Sequence, residues 1–314
     1  MKGNLVKAFV FPGQGSQAIG MGKIFYDTFA SSRQVFEEVD EALGQKLSTI
    51  IFEGPESDLV LTENAQPALM SVSLAMMAAL EKDAGVSLAN AVQYVAGHSL
   101  GEYSALAAAK ALSIGDTARL LKIRGQSMQK AVPVGQGAMA AILGLEITDV
   151  HSLASQAALN QVCVVANDNC PGQIVISGNK EAVERSIDLA KELGAKRSIL
   201  LNVSAPFHCP LMQPAADRMK AALQDVTIQK PLVPVITNVR ATPCEDPETI
   251  RELLVEQVTG MVRWRESVQK MASLGVTQII EIGAGQVLTG LTKRIDKDVI
   301  SAAINSPEDL EGMF

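Results

Sequence analysis

The segment AVQYVAGHSLG, residues 91–101, decides the fold because it predicts a buried strand that turns directly into a helix. Residues 91–97 form an apolar run typical of a buried strand, and an alanine-rich helix is expected to begin at Ser99. Residues 97–101 match G-x-S-x-G, the pattern of a tight strand-turn-helix bend that exposes a serine hydroxyl. Side chains two residues before and after the serine would collide there, so Gly97 and Gly101 fit the bend. A tight turn with a purely structural role is the alternative interpretation.

Outside this bend, the hydrophobic pattern predicts strands that alternate with helices. Further strands are expected over residues 7–11, 233–238 and 277–282. Further helices are expected over residues 18–42, 67–82, 116–131, 211–223, 248–259 and 267–274. Asp116 is placed as a first-turn charge or as the cap of its helix. Alternating strands and helices indicate a parallel sheet, so the predicted fold class is α/β.

The middle of the chain follows a different pattern. Strands are predicted over residues 138–144, 162–167, 173–177 and 196–203, and helices over residues 148–159 and 180–193. The sequence Asn-Asp-Asn-Cys-Pro-Gly at residues 167–172 has the composition of a turn. The resulting order, β-α-β-β-α-β, is the ferredoxin-like pattern. We therefore predict a small inserted domain over residues 132–204, within a large domain formed by residues 1–131 and 205–314.

The composition excludes several classes of protein. The chain has 314 residues, of which 47% are hydrophobic and 19% charged, as in ordinary globular proteins. Its net charge of −7 argues against binding nucleic acid through phosphates. The four cysteines lack C-x-x-C or zinc-site spacing, so free thiols and no metal are expected. No signal peptide is evident, and the longest apolar stretch, residues 65–80, is too short to span a membrane, so a soluble, cytoplasmic protein is expected.

A nucleophilic serine needs a base, and the chain offers only three histidines. His98 directly precedes Ser99, where reaching back to the hydroxyl is awkward. His151 falls in the predicted insert. His208 lies in a loop between Pro206 and Pro210, where the chain re-enters the large domain, and a rigid loop suits a positioned base. His208 is therefore the candidate base, with a surface histidine as the alternative.

Arg124 is the third candidate site residue because it falls in the middle of the apolar face of its predicted helix. That face is formed by Leu120, Leu121, Ile123, Met128 and Ala131. A guanidinium on a buried face is costly unless it is paired, and no acidic residue lies three or four positions away. A substrate carboxylate facing Ser99 would pair with it through a bidentate fork. The alternative is an ion pair with a distant Asp or Glu.

A glycine-rich loop follows the first predicted strand. Residues 13–18 imitate the dinucleotide fingerprint G-x-G-x-x-A, and Asp40 has the expected spacing for the acidic residue. Asp40, however, falls in a predicted helix and not at the end of a second strand, which argues against a nucleotide site. Gln14 on this loop could instead donate a hydrogen bond near the serine, and the Leu100 N–H at the helix start is a natural donor to an oxyanion.

Several motifs occur in the order found in the malonyl-CoA:acyl carrier protein transacylase family of bacterial type II fatty acid synthesis. They are FPGQGSQ from residue 11, GHSLGEYSAL from residue 97, NDNCPGQIVISG from residue 167, SAPFHCP from residue 204 and GAGQVLTGL from residue 283. The chain resembles this family over nearly its whole length. The resemblance implies an α/β-hydrolase-like large domain with a parallel sheet and an inserted ferredoxin-like small domain.

The resemblance also implies roles for the residues of the catalytic machinery. Ser99 would be the nucleophile and His208 the base. Gln14 and the backbone of Leu100 would form the oxyanion hole. A carbonyl near a late Asn or Gln, which Gln257 resembles, would orient the histidine, and no aspartate would complete a triad.

For the substrate pocket, the resemblance implies that Arg124 clamps the malonyl carboxylate. Phe207 stands where a bulky residue accompanies malonyl selectivity in the wider family, because it would fill the space of an α-methyl group. Met128, one turn beyond Arg124, would line the same pocket, although a plain core position is an equal alternative.

The function implied is transfer of malonyl from malonyl-CoA to the phosphopantetheine thiol of holo acyl carrier protein through an ester on Ser99. Such ping-pong chemistry would feed fatty acid synthesis, with malonyl-CoA and acyl carrier protein as partners, no cofactor, and a monomeric chain. A serine esterase or thioesterase is one alternative, and a malonyl transferase for a polyketide or malonate-decarboxylase carrier is another. A non-catalytic interaction protein on the same scaffold is the third.

Overall fold

The computed structural model describes residues 6–310 of the chain. Its strands are β1 Lys7–Phe11, β2 Tyr94–Gly97, β3 Gly137–Leu143, β4 Cys163–Cys170, β5 Gln173–Asn179, β6 Arg197–Leu200, β7 Val235–Ile236, β8 Pro243–Cys244, β9 Gln278–Ile282 and β10 Ile300–Ile304. Its helices are α1 Lys23–Thr28, α2 Ala30–Leu43, α3 Leu47–Glu53, α4 Glu56–Leu59, α5 Thr62–Ala78, α6 Leu88–Ala91, α7 Leu100–Ala108, α8 Ile114–Ala131, α9 Ile147–Ala158, α10 Lys180–Glu192, α11 Gln213–Gln224, α12 Pro247–Thr259, α13 Trp264–Ser273 and α14 Val287–Ile295.

The main sheet has six strands in the order β10-β9-β1-β2-β7-β8. All neighbouring pairs are parallel except β7 and β8, so the predicted parallel α/β sheet is present. In the central pair, Val10 lies opposite Ala96 and Phe11 opposite Gly97. Because parallel strands end at the same edge, the loop after β1 and the bend after β2 leave the sheet side by side.

A second sheet of four antiparallel strands has the order β4-β5-β3-β6. Along the chain its elements follow one another as β3, α9, β4, β5, α10 and β6, which is the order that the sequence predicts. Apolar side chains of α9 and α10 pack on the strands in a buried cluster separate from those of the main sheet. The ends of the predicted large domain, residues 1–5 and 311–314, lie outside the described residues.

Strand β4 corrects the prediction of a turn over residues 167–172. The strand continues to Cys170, with two irregularities in its register, and only Pro171 and Gly172 turn the chain. Its turn-like polar residues are occupied elsewhere: Asp168 pairs with Arg265 at 2.9 Å, and its N–H donates to the Val262 carbonyl. These polar residues therefore lie in a strand, where groups from other elements bind them, and not in a loop.

Two helix predictions also need correction, and the structure decides between the two alternatives for Asp116. Helix α5 begins at Thr62 rather than near residue 67, and it contains Pro67; nearly all its residues are buried, so packing overrides the proline penalty. The predicted helix over residues 18–42 is two helices that meet at Phe29, whose backbone is extended. Helix α8 is capped by Ser113, which accepts from the Asp116 N–H, so Asp116 is the first-turn charge and not the cap.

The bend between β2 and α7 has the geometry that its glycines predict. Ser99 adopts φ 53° and ψ −110° at the start of α7, a strained backbone for a residue with a Cβ. A Cβ on Gly97 would lie 1.9 Å from the carbonyl carbon and oxygen of Gly101, and one on Gly101 would lie 2.2 Å from the Phe11 oxygen. Close backbone packing therefore fixes the position of Ser99.

None of the helices between residues 6 and 310 combines the length and the apolar composition that a membrane span requires.

We expect Gly97→Ala to lower the free energy of unfolding by about 3 kcal/mol, because the new methyl group would overlap the α7 backbone. Urea denaturation measures this loss. Gly290→Ala is the matched control, since Gly290 is exposed on α14 with no atom near its Cβ position. It should be neutral or stabilising by about 0.5–1 kcal/mol. Equal effects of the two substitutions would contradict the packing argument.

Candidate active site

A cavity of about 380 Å³ lies between the carboxyl edge of the main sheet and the second sheet. Loops and helices that adjoin the main sheet form its walls together with strands of the second sheet and the chain that follows them: Gln14, Gly15, Gln17, Gln66, His98, Ser99, Leu100, Arg124, Met128, Met139, Asn167, Asn169, Val175, Leu201, Asn202, Val203, Phe207 and His208. Every site residue predicted from the sequence lines this cavity except Gln257. The Gln257 side chain hydrogen-bonds to two of the lining residues, Arg124 and Ser99.

Ser99 and His208 are in hydrogen-bond contact, although 109 positions separate them along the chain. The Ser99 Oγ lies 2.8 Å from the Nε2 of His208. The bend after β2 presents the serine, and the loop before α11 presents the histidine with φ 56°, also in the left-handed region. This pair has the geometry of a nucleophile and its general base.

Two main-chain carbonyls fix the state of the His208 ring. Its Nδ1 lies 2.9 Å from the Gln257 oxygen and 3.1 Å from the Gly260 oxygen. Because carbonyl oxygens only accept, Nδ1 must carry the proton and Nε2 is free to accept one from Ser99. Burial, followed by the nearby positive charge of Arg124, lowers the pKa of His208 to about 3. The ring is therefore a neutral base poised against the serine hydroxyl.

The Arg124 guanidinium is buried beside this pair. Its Nη1 donates to Gln66 Oε1 at 2.8 Å, and its Nη2 donates to Gln257 Oε1 at 2.9 Å and to Ser99 Oγ at 3.1 Å. No carboxylate of residues 6–310 lies within 4.0 Å of it, so the alternative of a distant ion pair is absent there. Burial lowers the pKa of Arg124. The site thus holds a cation beside Ser99 that neutral amides orient without neutralising.

The two predicted oxyanion donors border the same space. Leu100 is the first residue of α7, so its N–H has no partner within the helix. Gln14, on the loop after β1, directs its Nε2 to the Thr62 hydroxyl at 3.4 Å. That contact is long, and the Thr62 hydroxyl is also held by Ser204 at 3.0 Å. The Gln14 amide is consequently held only weakly where it is.

Phe207 and Met128 are both buried, and both line the cavity that Arg124 also lines. The Met128 sulfur accepts from Gln66 Nε2 at 3.7 Å, while Gln66 Oε1 holds Arg124. One amide therefore links the methionine to the guanidinium. Met128 belongs to the cavity wall as well as to the core.

The other two histidines occupy positions without such contacts. His98 is half-buried with its ring next to that of Trp264, and its Nε2 lies 2.9 Å from Asn169 Oδ1. Burial lowers the pKa of His98. His151 is exposed on α9. Neither ring has a hydrogen bond to Ser99 among the described residues. No group of three or more potential metal ligands occurs between residues 6 and 310, and all four cysteines are free.

Sequence reasoning missed Asn238, which holds the backbone around the serine. Its Oδ1 accepts from the Ser99 N–H at 2.7 Å, and its Nδ2 donates to the Gly97 oxygen at 2.6 Å. Asn238 stands at the end of the strand predicted over residues 233–238. A polar residue at the carboxyl end of a parallel strand is the signal that could have identified it.

Glu102 was also missed, although it is the only charged residue of α7. It is buried, and its Oε2 accepts from Gln257 Nε2 at 2.7 Å and from the Asn238 N–H at 3.1 Å. Burial raises the pKa of Glu102 to about 7, and these two hydrogen bonds and Arg124 oppose the rise. A carboxyl within the apolar helix sequence LGEYSALAA was the available signal.

Comparison with known proteins connects this geometry to a family. A family described as "Acyl transferase domain" matches residues 8–306. The malonyl CoA-acyl carrier protein transacylase of Bacillus subtilis (strain 168) is 47% identical over 305 residues, covering 97% of this chain and 95% of the relative. The protein of the same name from Escherichia coli (strain K12) is 44% identical over 300 residues, covering 96% of each chain.

Solved structures agree over the same length. The acyl-carrier-protein-S-malonyltransferase from Bartonella henselae superposes with a TM-score of 0.96 at 54% identity, covering 98% of each chain. A malonyl-transacylase in complex with a type II PKS acyl-carrier protein gives a TM-score of 0.94 at 42% identity, again covering 98% of each chain. The mixed α/β architecture is thus shared with this group of structures.

We expect the His208 ring to stay neutral, with its proton on Nδ1, from about pH 8 down to about pH 5. An ordinary histidine would gain a second proton within this range, whereas burial and Arg124 disfavour the cation here. Nitrogen-15 spectra of histidine-labelled protein measure the state of both ring nitrogens. With only three histidines, His208→Ala assigns the signal. A His208 signal that titrates near pH 6.5 would contradict this prediction.

Proposed function

The chain belongs to the acyl transferase domain family, and on this basis we propose that it moves malonyl from malonyl-CoA to the phosphopantetheine thiol of acyl carrier protein. The observation that carries the proposal is a buried Arg124 guanidinium, unpaired with any described carboxylate, 3.1 Å from the Ser99 hydroxyl. A desolvated cation beside a nucleophile favours a substrate that brings its own anion. Malonyl thioesters carry a free carboxylate close to the reacting carbonyl.

In the first half-reaction, Ser99 Oγ attacks the thioester carbonyl as His208 Nε2 takes its proton. The oxyanion that forms is stabilised by the Leu100 N–H and by the Gln14 amide once it releases Thr62. The intermediate expels the CoA thiolate, which receives the proton from His208. The products are a malonyl ester on Ser99 and free CoA.

In the second half-reaction, the phosphopantetheine thiol of the carrier gives its proton to His208 and attacks the ester carbonyl. Ser99 Oγ leaves and recovers the proton from His208, so the enzyme returns to its initial state. One base serves both directions because its pKa, lowered by burial, keeps it free of a proton between steps. The two half-reactions follow a ping-pong mechanism, with the ester on Ser99 as the shared intermediate.

Arg124 is proposed to bind the malonyl carboxylate through its guanidinium fork. The guanidinium is one of the causes that lower the pKa of His208. Neutralising that charge with a carboxylate would raise the pKa of His208 and make it a stronger base in the complex. Malonyl binding would in this way both orient the substrate and activate the histidine.

Phe207 and Met128 are proposed to shape the acyl pocket around Arg124. The Phe207 ring occupies space that an α-methyl substituent would need. Excluding one methyl group by packing is typically worth about 1–3 kcal/mol. A preference for malonyl over methylmalonyl is therefore part of the proposal.

The finer description of the fold also belongs to this proposal. The large domain, residues 1–131 and 205–314, would be α/β-hydrolase-like, with the serine at the bend after β2. Residues 132–204 would form the ferredoxin-like insert; its antiparallel order β4-β5-β3-β6 and its own apolar cluster support this. The cavity between the two sheets would then be an interdomain cleft.

We further propose that the partners are malonyl-CoA and acyl carrier protein, without a cofactor, and that the product feeds fatty acid synthesis. A monomer is proposed because one chain supplies every group of the site. A cytoplasmic location fits the four free thiols. Transfer to a polyketide carrier is the second candidate, since a similar structure contains a type II PKS carrier protein; comparing rates with the two carriers separates them.

The covalent step predicts a mass change. Brief mixing with malonyl-CoA should add one malonyl group to the native chain and none to Ser99→Ala, as measured by intact mass spectrometry. Holo acyl carrier protein should then clear the adduct much faster than water does. Clearance by water at the same rate would indicate a hydrolase, and no adduct on the native chain would contradict the proposed transferase.

The clamp predicts a selective loss in Arg124→Ala. The catalytic efficiency for malonyl transfer should fall by about 100-fold or more, because the substrate carboxylate would lose its buried partner. Acetyl transfer should fall much less, since acetyl has no carboxylate. Arg119→Ala is the control on the same helix, because Arg119 is exposed and pairs with Asp116. Equal losses of malonyl and acetyl transfer in Arg124→Ala would exclude the clamp.

A further inference from the structure

The side-chain amide of Gln257 and the main-chain N–H of Asn238 both donate to the carboxylate of Glu102. We propose that Glu102 is a positioning residue: its Oε2 fixes the orientation of the Gln257 amide, which in turn aims Arg124 at the substrate carboxylate. This inference rests on the proposed function and adds to it a determinant of acyl selectivity. Among residues 6–310, the Glu102 side chain has no hydrogen bond to the Ser99 hydroxyl or the His208 ring, so we expect its effect to pass through Gln257.

The chemistry around Gln257 permits only one orientation of its amide. On one side the Glu102 Oε2, an acceptor, lies 2.7 Å from Nε2. On the other side the Arg124 Nη2, a donor, lies 2.9 Å from Oε1. Rotating the amide by 180° would set two acceptors against each other and two donors against each other. The Glu102 carboxylate and the Arg124 guanidinium therefore reinforce one orientation, in which the amide oxygen faces Arg124.

The Gln257 amide is also tied to the nucleophile. Its Nε2 donates to the Ser99 carbonyl at 3.0 Å in addition to Glu102. The side chain is fully buried, so each lost hydrogen bond would remain uncompensated. A change at Glu102 would release Nε2 from its shorter contact and allow Oε1 to leave Arg124.

His208 depends on a different part of the same residue. Its Nδ1 is held by the main-chain oxygens of Gln257 and Gly260, and not by the Gln257 side chain. Helix α12 fixes the Gln257 backbone independently of its amide. Loss of Glu102 should therefore disturb Arg124 while leaving the Ser99–His208 pair able to transfer acyl groups that lack a carboxylate.

Glu281 provides a matched control for the loss of a buried carboxylate. It is fully buried in β9, and its oxygens accept from the N–H groups of Leu288 and Thr289 at the start of α14. It has no hydrogen bond to a residue of the site. Glu281→Gln should lower the melting temperature without altering the choice between substrates.

The test compares the catalytic efficiencies for malonyl-CoA and acetyl-CoA, with holo acyl carrier protein as acceptor, in the full-length chain. Glu102→Gln keeps the volume but offers an NH₂ group beside the oxygen, so the Gln257 amide loses the acceptor-only partner that holds its Nε2 most closely. We expect its malonyl-to-acetyl ratio to fall by about 10-fold. Glu281→Gln should keep the native ratio. Glu102→Asp, which withdraws the carboxylate, should also lower the ratio and serves if Glu102→Gln does not fold.

A double variant tests whether Glu102 acts on Arg124 through Gln257, a path that we call the relay. Gln257→Met removes the amide but keeps the carbonyl that holds His208. It should lower the ratio, and adding Glu102→Gln should lower it no further, because both changes interrupt one path. Independent losses that multiply in the double variant would overturn the relay.

The remaining outcomes separate this inference from the proposed function. Equal losses of malonyl and acetyl transfer in Glu102→Gln would make Glu102 a purely structural residue. An unchanged ratio in Glu102→Gln, in an enzyme whose native form prefers malonyl and forms the Ser99 adduct, would overturn the relay alone. A native enzyme without malonyl preference or adduct would overturn both the relay and the proposed function.

Discussion

A buried guanidinium that forms no ion pair with a carboxylate of residues 6–310 is the constraint on which the rest of the site depends. Arg124 donates to Gln66, Gln257 and Ser99, and all three acceptors are uncharged. Burying such a charge costs free energy that neutral amides only partly offset. The large apolar core of the main sheet supplies the stability that tolerates this cost, and the cavity provides the space in which an anion can complete the site.

The groups around this cation have separate tasks. Asn238 holds the backbone on both sides of the serine, and main-chain carbonyls hold the His208 ring. Gln257 contributes to two tasks at once, because its backbone serves the histidine while its side chain serves Arg124. The carboxylate of Glu102 links Asn238 and Gln257, because it accepts hydrogen bonds from both residues. The Glu102 carboxyl thus interacts electrostatically with the Arg124 guanidinium without forming a direct ion pair with it.

The sequence predicted the fold well where local signals and tertiary packing agree. The parallel strands, the tight bend at Ser99 and the β-α-β-β-α-β order follow from hydrophobic periodicity and glycine placement. The predictions failed where a tertiary partner overrode a local preference. Pro67 lies inside a helix because that helix is buried on all sides, and residues 167–170 extend a strand because Asp168 and Asn169 bond to other elements.

For the site, the residue types and their spacing were enough to indicate the chemistry. Three local features are unusual enough to be recognised in a single sequence. They are a serine between two glycines, a histidine in a loop bounded by prolines, and an arginine on an apolar helix face. The hydrogen-bond partners of these residues, in contrast, can be identified only in the folded chain. Glu102, Asn238 and Gln257 lie far apart in sequence, and their hydrogen bonds have no periodicity to reveal them. Their roles arise from the distances and directions between side chains, which exist only after the two sheets have packed together.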